Sequence, residues 1–244
     1  MSDITTQISS SIEALTQEFN IIAHNLANVS TAGYKRRCNA FSKYLEARKT
    51  GQEAYAPSGV DLNSVFDFSQ GSLIETHRPL DLALYGKGFF VIETPQGALY
   101  TRNGFFRTNQ NGQIVDSQGA IVAGQAGPIT IPANVAPSQI SVSSDGSISA
   151  SGIAIGKFKL IDFEDNESKL VPTGSNCYRM PQEDIEPVAA EQVIVKQGYQ
   201  EASNVKMTDE LVDLIMVCRL YEANMKFISA KTQAASSLMN VAMD

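Results

Sequence analysis

The chain is poor in the residues from which most catalytic and metal sites are made. Its 244 residues include two histidines and three cysteines. Neither His24 nor His77 has a cysteine or carboxylate at ligand spacing. Cys38, Cys177 and Cys218 form no Cys-x-x-Cys pair and no Cys/His zinc pattern. No metal and no cofactor is therefore expected. A Gly-x-Ser-x-Gly elbow and a His-Glu-x-x-His helix are both missing. Gly86-Lys87-Gly88 lacks the third glycine and the following helix of a dinucleotide loop, and reads as a tight turn into a strand. Asp81, Glu93, Asp116, Asp145, Asp162, Glu164 and Asp165 would be enough carboxylates for a glycosidase pair. Nothing singles out two of them, and most fall at turns or strand ends, so no enzyme is expected.

Charge is also scarce. Asp, Glu, Lys and Arg make up 18% of the chain, against roughly 25% in an average domain. Fewer charges mean less repulsion between copies, which suits an assembling protein, although a secreted β-rich domain would share this composition. The net charge is −7, and the one basic run, Lys35-Arg36-Arg37, is too short to face a phosphate backbone. It is expected to be a solvated turn after a helix, and no nucleic-acid partner is expected. No run approaches the ~20 apolar residues of a membrane span, so no membrane insertion is expected. The start, MSDITTQISSSIEALTQ, has neither a basic head nor an apolar core. The expectation is export without a cleaved signal peptide.

What the chain does have is helical periodicity at both ends. Ile8, Ile12, Leu15, Phe19, Ile22, Leu26 and Val29 recur at three- and four-residue steps. So do Leu211, Leu214, Cys218, Tyr221, Met225, Ile228, Thr232, Ala235, Met239 and Ala242. Such alternation is a coiled-coil seam, because an underwound helix keeps these positions on one stripe. A seam needs a partner, so the two ends are expected to meet each other or copies of themselves. Cys218 on this stripe is expected to be small, apolar and buried. Beside the seams lie Ser9, Ser10, Ser11, Thr16, Ala23, Asn25 and Asn28, then Ala223, Ser229, Ala230, Ala234, Ser236 and Ser237. Small side chains in place of paired charges permit close approach by more than one helix. The terminal helices are expected to gain much of their order on docking, having few contacts of their own in a free chain.

The first helix is expected over about Ile4 to Val29, closed by Gly33 in a left-handed conformation. The last is expected from Asn204–Thr208 onward, with Asp209 and Glu210 at the positive end of its dipole. At 1.5 Å per residue it would span roughly 50–55 Å, more than a small domain needs. Between them, Asn103-Gly104, Asn111-Gly112, Gln118-Gly119 and Asp145-Gly146 mark tight turns. These separate β-type runs over 88–93, 98–102, 105–108, 113–115, 120–122, 129–131, 140–142, 147–149 and 156–162. The expected organisation is α+β, with long terminal helices forming a coiled-coil-type assembly region around a central all-β domain. Its blocks are helix 1–30, an irregular connector 31–78, the β domain 79–186, an extended return 187–203 and helix 204–244. In the connector, Phe41, Tyr44 and Leu45 suggest a short helix, Gly51, Pro57, Gly59 and Asp61 break it, and Phe66 and Phe68 alternate as in a strand.

Asn25-Leu26-Ala27-Asn28-Val29-Ser30-Thr31-Ala32-Gly33-Tyr34-Lys35-Arg36 closely resembles the N-terminal signature of bacterial flagellar rod and hook proteins. Further segments match in order. They are Pro79-Leu80-Asp81-Leu82-Ala83, Gly86-x-Gly88-Phe89-Phe90, Tyr100-Thr101-Arg102-Asn103-Gly104, Gln197-Gly198-Tyr199, Glu201-Ala202-Ser203-Asn204-Val205, Glu210-Leu211 and Tyr221-Glu222. The resemblance covers essentially the whole chain. It implies a structural subunit of the flagellar basal body, with terminal helices packed in an inner tube and β domains facing outward. Implied partners are copies of itself, other rod and hook subunits and the flagellar export apparatus. The implied place is a periplasm-spanning, torque-transmitting rod. The connector between Phe41 and Gln70 is shorter than the distal-rod pattern, which favours a proximal-rod subunit, while the C-terminal block looks like distal-rod proteins. A hook-type subunit would carry more β mass. From other classes, an adhesin-like surface protein and a rod-associated wall-cutting enzyme stay as alternatives.

Overall fold

The computed structural model describes residues 2–39, 64–181, 185–190 and 192–243, with side chains described over 9–39, 65–164, 166–181, 185–190 and 192–234. Phe41, Tyr44, Leu45 and the breakers from Gly51 to Asp61 lie outside the described residues. The fold is α+β, a central β region between N- and C-terminal helices. Two compact units are present. One comprises 1–27, 37–65 and 206–244, and the other 28–36 and 66–205.

In the first unit, α1 (Ser2–Ala27) and α2 (Met207–Met243) pack against each other. They run antiparallel, since Asn25 meets Glu210 at one end of the pair and Ser11 meets Asn224 further along. At 37 residues α2 is roughly 55 Å long, and α1 at 26 roughly 40 Å. Asp209 and Glu210 sit in the first turn of α2, where the helix dipole favours anions. α1 stops at Ala27, two residues short of Val29, and a turn follows in which the Thr31 amide bonds the Asn28 carbonyl at 3.0 Å.

The second unit is all β. Its main sheet runs in the order Val171–Gly174, Cys177–Arg179, Gly97–Thr101, Phe89–Thr94, Ile121–Gly124, Ile114–Val115 and Arg107–Thr108. Leu160–Asp162 also pairs with Phe89–Thr94 and carries Val188–Ala189 on its far side. The central strand Phe89–Thr94 shows how the sequence builds this unit. Phe90 and Ile92 enter one core with Leu82, Leu84, Phe106, Ile114 and Phe158. Phe89 and Val91 enter another with Phe66, Phe68, Ile161, Phe163 and Tyr178. Alternate side chains of a strand point to opposite faces, so an unbroken Phe-Phe-Val-Ile run is what a strand buried on both faces requires. Edge-to-face ring pairs knit both cores. Phe90 and Phe106 centroids are 5.0 Å apart at 87°, and Tyr178 lies 5.1 Å from both Phe66 and Phe68.

A three-stranded meander, Ile140–Val142, Ser147–Ala150 and Ile153–Lys157, closes the first core. Two ribbons bring the return segment back. Ile194–Gln197 pairs with Leu82–Tyr85, and Tyr199–Glu201 with Leu73–Glu75. Val193 and Val195 are buried between the exposed Gln192, Ile194 and Lys196, as their alternation predicts.

Several elements differ from expectation. Residues 129–131 form a single bridge through Thr130 rather than a strand, because Pro128 and Pro132 cannot donate to a ladder. Ile129 and Ile131 are buried all the same. The run 156–162 is cut at Phe158 into Ile153–Lys157 and Leu160–Asp162. The hairpin Val171–Gly174/Cys177–Arg179 carries no Asn-Gly signal, since its turn is made by Ser175 (φ 52°) and Asn176 (φ 58°). Gly112, Gly119 and Gly146 do take positive φ. Gly104 does not; it is needed because the Leu82 carbonyl oxygen would lie 1.7 Å from a Cβ there.

Candidate functional site

Helix α2 presents two faces. Glu210 and Val217 are buried, and Asp213, Leu214, Asn224, Ile228 and Lys231 half-buried. These positions step by three and four and mark the side turned to α1. Of the expected C-terminal seam, Leu214 and Ile228 lie on that line. Leu211, Cys218, Tyr221 and Met225 are exposed. The 214/221/228 positions form a common row with two flanks. The 210/217/224 row leans inward, and the 211/218/225 row outward. Cys218 is thus exposed rather than buried, and Val217 takes the interior place.

On α1, Ile21 and Ile22 are buried, Ile12, Leu15 and Leu26 are half-buried, and Phe19 is exposed. The Ile8 side chain lies outside the described residues, and Val29 is half-buried beyond the helix. Leu15, Thr16 and Phe19 of α1 and Val217, Cys218, Tyr221 and Glu222 of α2 line an open groove of about 360 Å³. Continuing along α2, Val212, Ile215, Met216, Leu220 and Phe227 are each more than half exposed.

The paired ends are tied by Asn25. Its amide donates to the Arg37 carbonyl (2.9 Å) and to Glu210 Oε2 (3.1 Å), while its Oδ1 accepts from the Arg37 amide (2.8 Å). Asn25 and Glu210 are both wholly buried. A buried polar pair is stable only when hydrogen-bonded, and an Asn can satisfy a backbone donor, a backbone acceptor and a carboxylate together.

The rest of the N-terminal signature works inside the β unit. Gly33 (φ +68°) donates its amide to the Glu201 carbonyl at 2.7 Å, and a Cβ there would meet the Asn103 backbone at 2.6 Å. Its positive φ therefore serves this close approach and not the closure of α1, which ends six residues earlier. Tyr34 is buried. Lys35 Nζ donates to Glu201 Oε1 and to the Ser69 carbonyl, both at 2.7 Å. Both ends of that ion pair are 0% exposed, so Lys35 is no solvated turn residue. Glu201 Oε1 also accepts from the Gly71 amide at 2.9 Å. Arg102 is the second buried cation, with Nη2 on the Gly86 carbonyl at 2.7 Å and Nε 4.0 Å from Glu201 Oε2. Burial lowers the Lys35 pKa; Glu201 opposes that shift and Arg102 adds to it. Asn204 completes the arrangement, accepting from the Arg36 amide (2.7 Å) and donating to the Asp67 carbonyl (2.8 Å). Three remote segments, 33–36, 67–71 and 201–204, are thereby held by the side chains of Lys35, Glu201 and Asn204.

Among the remaining signature residues, Thr31 donates to Asn28 Oδ1 at 3.2 Å, and Ala27 and Ser30 are exposed. Periodicity does not reveal Lys35, Arg102, Glu201, Asn204 and Glu210 as structural. Their only sequence signal is their place inside the motif segments.

Long paired helices with an apolar outer face, and a β unit whose motif residues are spent on internal ties, define a structural, assembling class of protein. Comparisons with known proteins specify it. Residues 9–35 match the model for flagella basal body rod proteins. Residues 83–150 match the flagellar hook protein FlgE/F/G D1 domain, and 196–241 the flagellar basal body rod FlgEFG protein C-terminal region. The chain is 34% identical to the flagellar basal-body rod protein FlgG of Buchnera aphidicola from Acyrthosiphon pisum, over 93% of this chain and 95% of that protein. It is 32% identical to FlgG of Agrobacterium fabrum (92% and 94%). With FlgF of Caulobacter vibrioides it shares 33% identity (91% of both). The chain belongs to the flagellar basal-body rod protein family. It is a structural subunit of the rod, not an enzyme, and it assembles with other flagellar rod and hook subunits. No described helix is long and apolar enough to cross a membrane.

Proposed function

We propose that the chain polymerises through its terminal segments, 1–30 and 204–244, into the axial shaft of the basal body and there transmits torque. The observation that carries this reading is the outer face of α2. Leu211, Val212, Ile215, Met216, Leu220, Tyr221, Met225 and Phe227 are 40–59% exposed on one helix. Burying a large apolar side chain is worth about 1.5–3 kcal/mol. Covering the exposed halves of these eight would contribute on the order of 5–10 kcal/mol per subunit. α1 covers one side of α2, so the outer face is left for neighbours; of the expected interface residues Ile12, Leu15, Ile22, Leu26, Leu214 and Ile228 are buried or half-buried, and Phe19, Leu211, Cys218, Tyr221 and Met225 are exposed. The short connector favours the proximal rod. Transfer by the flagellar export apparatus, with neither membrane insertion nor nucleic-acid binding, completes the reading.

The test is Ile215→Asp, at a position 55% exposed, where the charge leaves the single chain folded. Incorporation into isolated basal bodies should be lost while circular dichroism of the purified chain is unchanged. Normal incorporation would overturn the reading. An immunolabelled micrograph of basal bodies gives the axial position, and label at the distal end would overturn the proximal placement.

A further inference from the structure

The sequence holds two Asn-Gly pairs and one Asp-Gly pair, at 103–104, 111–112 and 145–146. Besides setting turns, such a pair is a chemical weak point. Glycine puts no side chain in the way of its own amide nitrogen, and that nitrogen attacks the preceding side-chain carbonyl carbon to close a five-membered imide. The fold treats the three pairs differently.

Asn103 is committed to its neighbours. Its Oδ1 accepts from the Phe105 amide at 3.1 Å, and its own amide donates to Thr101 Oγ1 at 3.0 Å. Gly104 is buried, and its carbonyl accepts from the Leu82 amide at 3.0 Å. With the Leu82 carbonyl oxygen 1.7 Å from the place of a Cβ on Gly104, this backbone has no room to swing into an imide. Asp145 is protected in another way. Its Oδ1 accepts from the Ser147 amide at 3.2 Å, and its Oδ2 from Ser147 Oγ at 2.7 Å and Lys157 Nζ at 3.0 Å. The Ser147 hydroxyl, then Lys157, hold the carboxyl down to a pKa of about 2, so it is an anion, which an amide nitrogen does not attack.

Asn111 has neither protection. It is exposed, and its side-chain amide bonds no other described residue. Its backbone is placed by Asn109, whose Oδ1 accepts from the Asn111 amide at 2.9 Å and the Gln113 amide at 3.0 Å. The Gly112 amide donates to the Asn109 carbonyl of the same turn at 3.0 Å. A turn with an exposed tip opens locally at little cost.

We infer that Asn111 is a site of spontaneous deamidation and isomerisation in the folded chain, and that Asn103 and Asp145 are not. The Gly112 nitrogen bonds to Asn111 Cγ, the Cγ–Nδ2 bond breaks, and ammonia leaves with the proton given up by the Gly112 amide. Water then opens the imide. Attack at Cγ leaves aspartate, and attack at the α-carbonyl carbon leaves isoaspartate, with the main chain rerouted through Asn111 Cβ and Cγ. Either product adds a negative charge, and the second also lengthens the backbone by a methylene. The Gly112 carbonyl accepts from the amide of the buried Ile131 at 2.8 Å, so lengthening loosens this loop where it is tied to the first core. The chemistry belongs to the β unit and holds whether or not the rod reading does.

Peptide mapping of the folded, full-length chain aged in mildly alkaline buffer tests it. Trypsin cuts at Arg102, Arg107 and Lys157 put the two Asn-Gly pairs on separate peptides, 103–107 and 108–157. Conversion at Asn111 should run at least about tenfold faster than at Asn103. The same chain in urea should convert both at similar rates, because the selectivity belongs to the fold. Equal conversion of the two in the folded chain overturns the inference, and so does an intact Asn111 after a time in which the chain in urea has reacted. In Asn111→Gln the imide would be six-membered and closes more slowly, so labelling by an isoaspartate-specific methyltransferase should fall to background. Label persisting at Asp145 would overturn its protection. Amide exchange at Ile131 should accelerate in the isoaspartate fraction, and unchanged exchange would overturn the loosening of the loop.

Discussion

Replacing Lys35 with methionine keeps the length of the side chain and removes its charge. In the native β unit, Glu201 Oε1 accepts from Lys35 Nζ at 2.7 Å and from the Gly71 amide at 2.9 Å. After Lys35→Met the carboxylate keeps only the amide on that oxygen. Arg102 Nε, 4.0 Å from the other oxygen, is too distant for a hydrogen bond. The Ser69 carbonyl loses one donor but keeps the Asn204 amide at 3.1 Å. Removing one member of a fully buried ion pair costs about 3–5 kcal/mol, chiefly because the surviving charge stays buried. For a unit of this size each kcal/mol lowers the melting midpoint by about 2–4 °C, so a fall of roughly 10 °C is expected. Differential scanning calorimetry of the full chain, resolving the β-unit transition, is the assay. Lys35→Met combined with Glu201→Gln should recover part of the loss, because glutamine still accepts from Gly71 and no orphaned anion remains. The double-mutant cycle should then show coupling above about 1 kcal/mol. A midpoint within about 2 °C of the parent, or strictly additive effects, would refute the claim that this pair holds the segments together.

Gly33→Ala should destabilise the β unit by more than about 2 kcal/mol, since left-handed backbone alone costs an alanine about 1–2 kcal/mol and its Cβ meets the Asn103 backbone at 2.6 Å. Urea unfolding measures it, and a loss under about 0.5 kcal/mol would contradict the close approach. Asn25→Ala removes both bonds to Arg37 and the one to Glu210; amide exchange at Arg37 should accelerate at least tenfold, and unchanged exchange would remove Asn25 as the tie. Cysteine chemistry should separate by place. Cys218 is expected to alkylate readily at pH 7.5 in the unassembled chain, while native Cys38 and Cys177 do not, as mass spectrometry of labelled peptides will show. Burial pushes the Cys177 thiol up to about 11 from 9.0, with Asp116 adding to the shift. A raised thiol pKa favours the folded state while the group is protonated. That contribution is complete below pH 9 and is lost as pH rises through 11. A Cys177→Ala chain should therefore lose less stability than the parent between pH 9 and 11, and identical pH profiles would contradict this.

The helices were legible because a three-four apolar rhythm needs no tertiary information, and so was a strand over 88–93, but only the structure shows it buried on both faces, with Phe90 and Ile92 in one core and Phe89 and Val91 in the other. The signature around Asn25–Arg36 was visible as a motif, yet its roles were not. Lys35 reads as one more basic residue in a turn, and only the fold brings Glu201 to it across the chain. The hairpin at Ser175–Asn176 escaped because its left-handed residues are not glycine. Cys218 is exposed for a geometric reason that spacing does not reveal. Two rows flank the 214/221/228 line, and sequence spacing favours neither.

By itself, then, the sequence determined where the two terminal helices lie, that the middle of the chain is largely β and that both helices carry apolar rows, since these follow from local periodicity and turn chemistry. Tertiary structure alone decided which row of α2 faces α1 and which is left outward, and it decided which charges are buried as partners. Those choices depend on atoms close in space and distant in the chain, where local patterns carry no information.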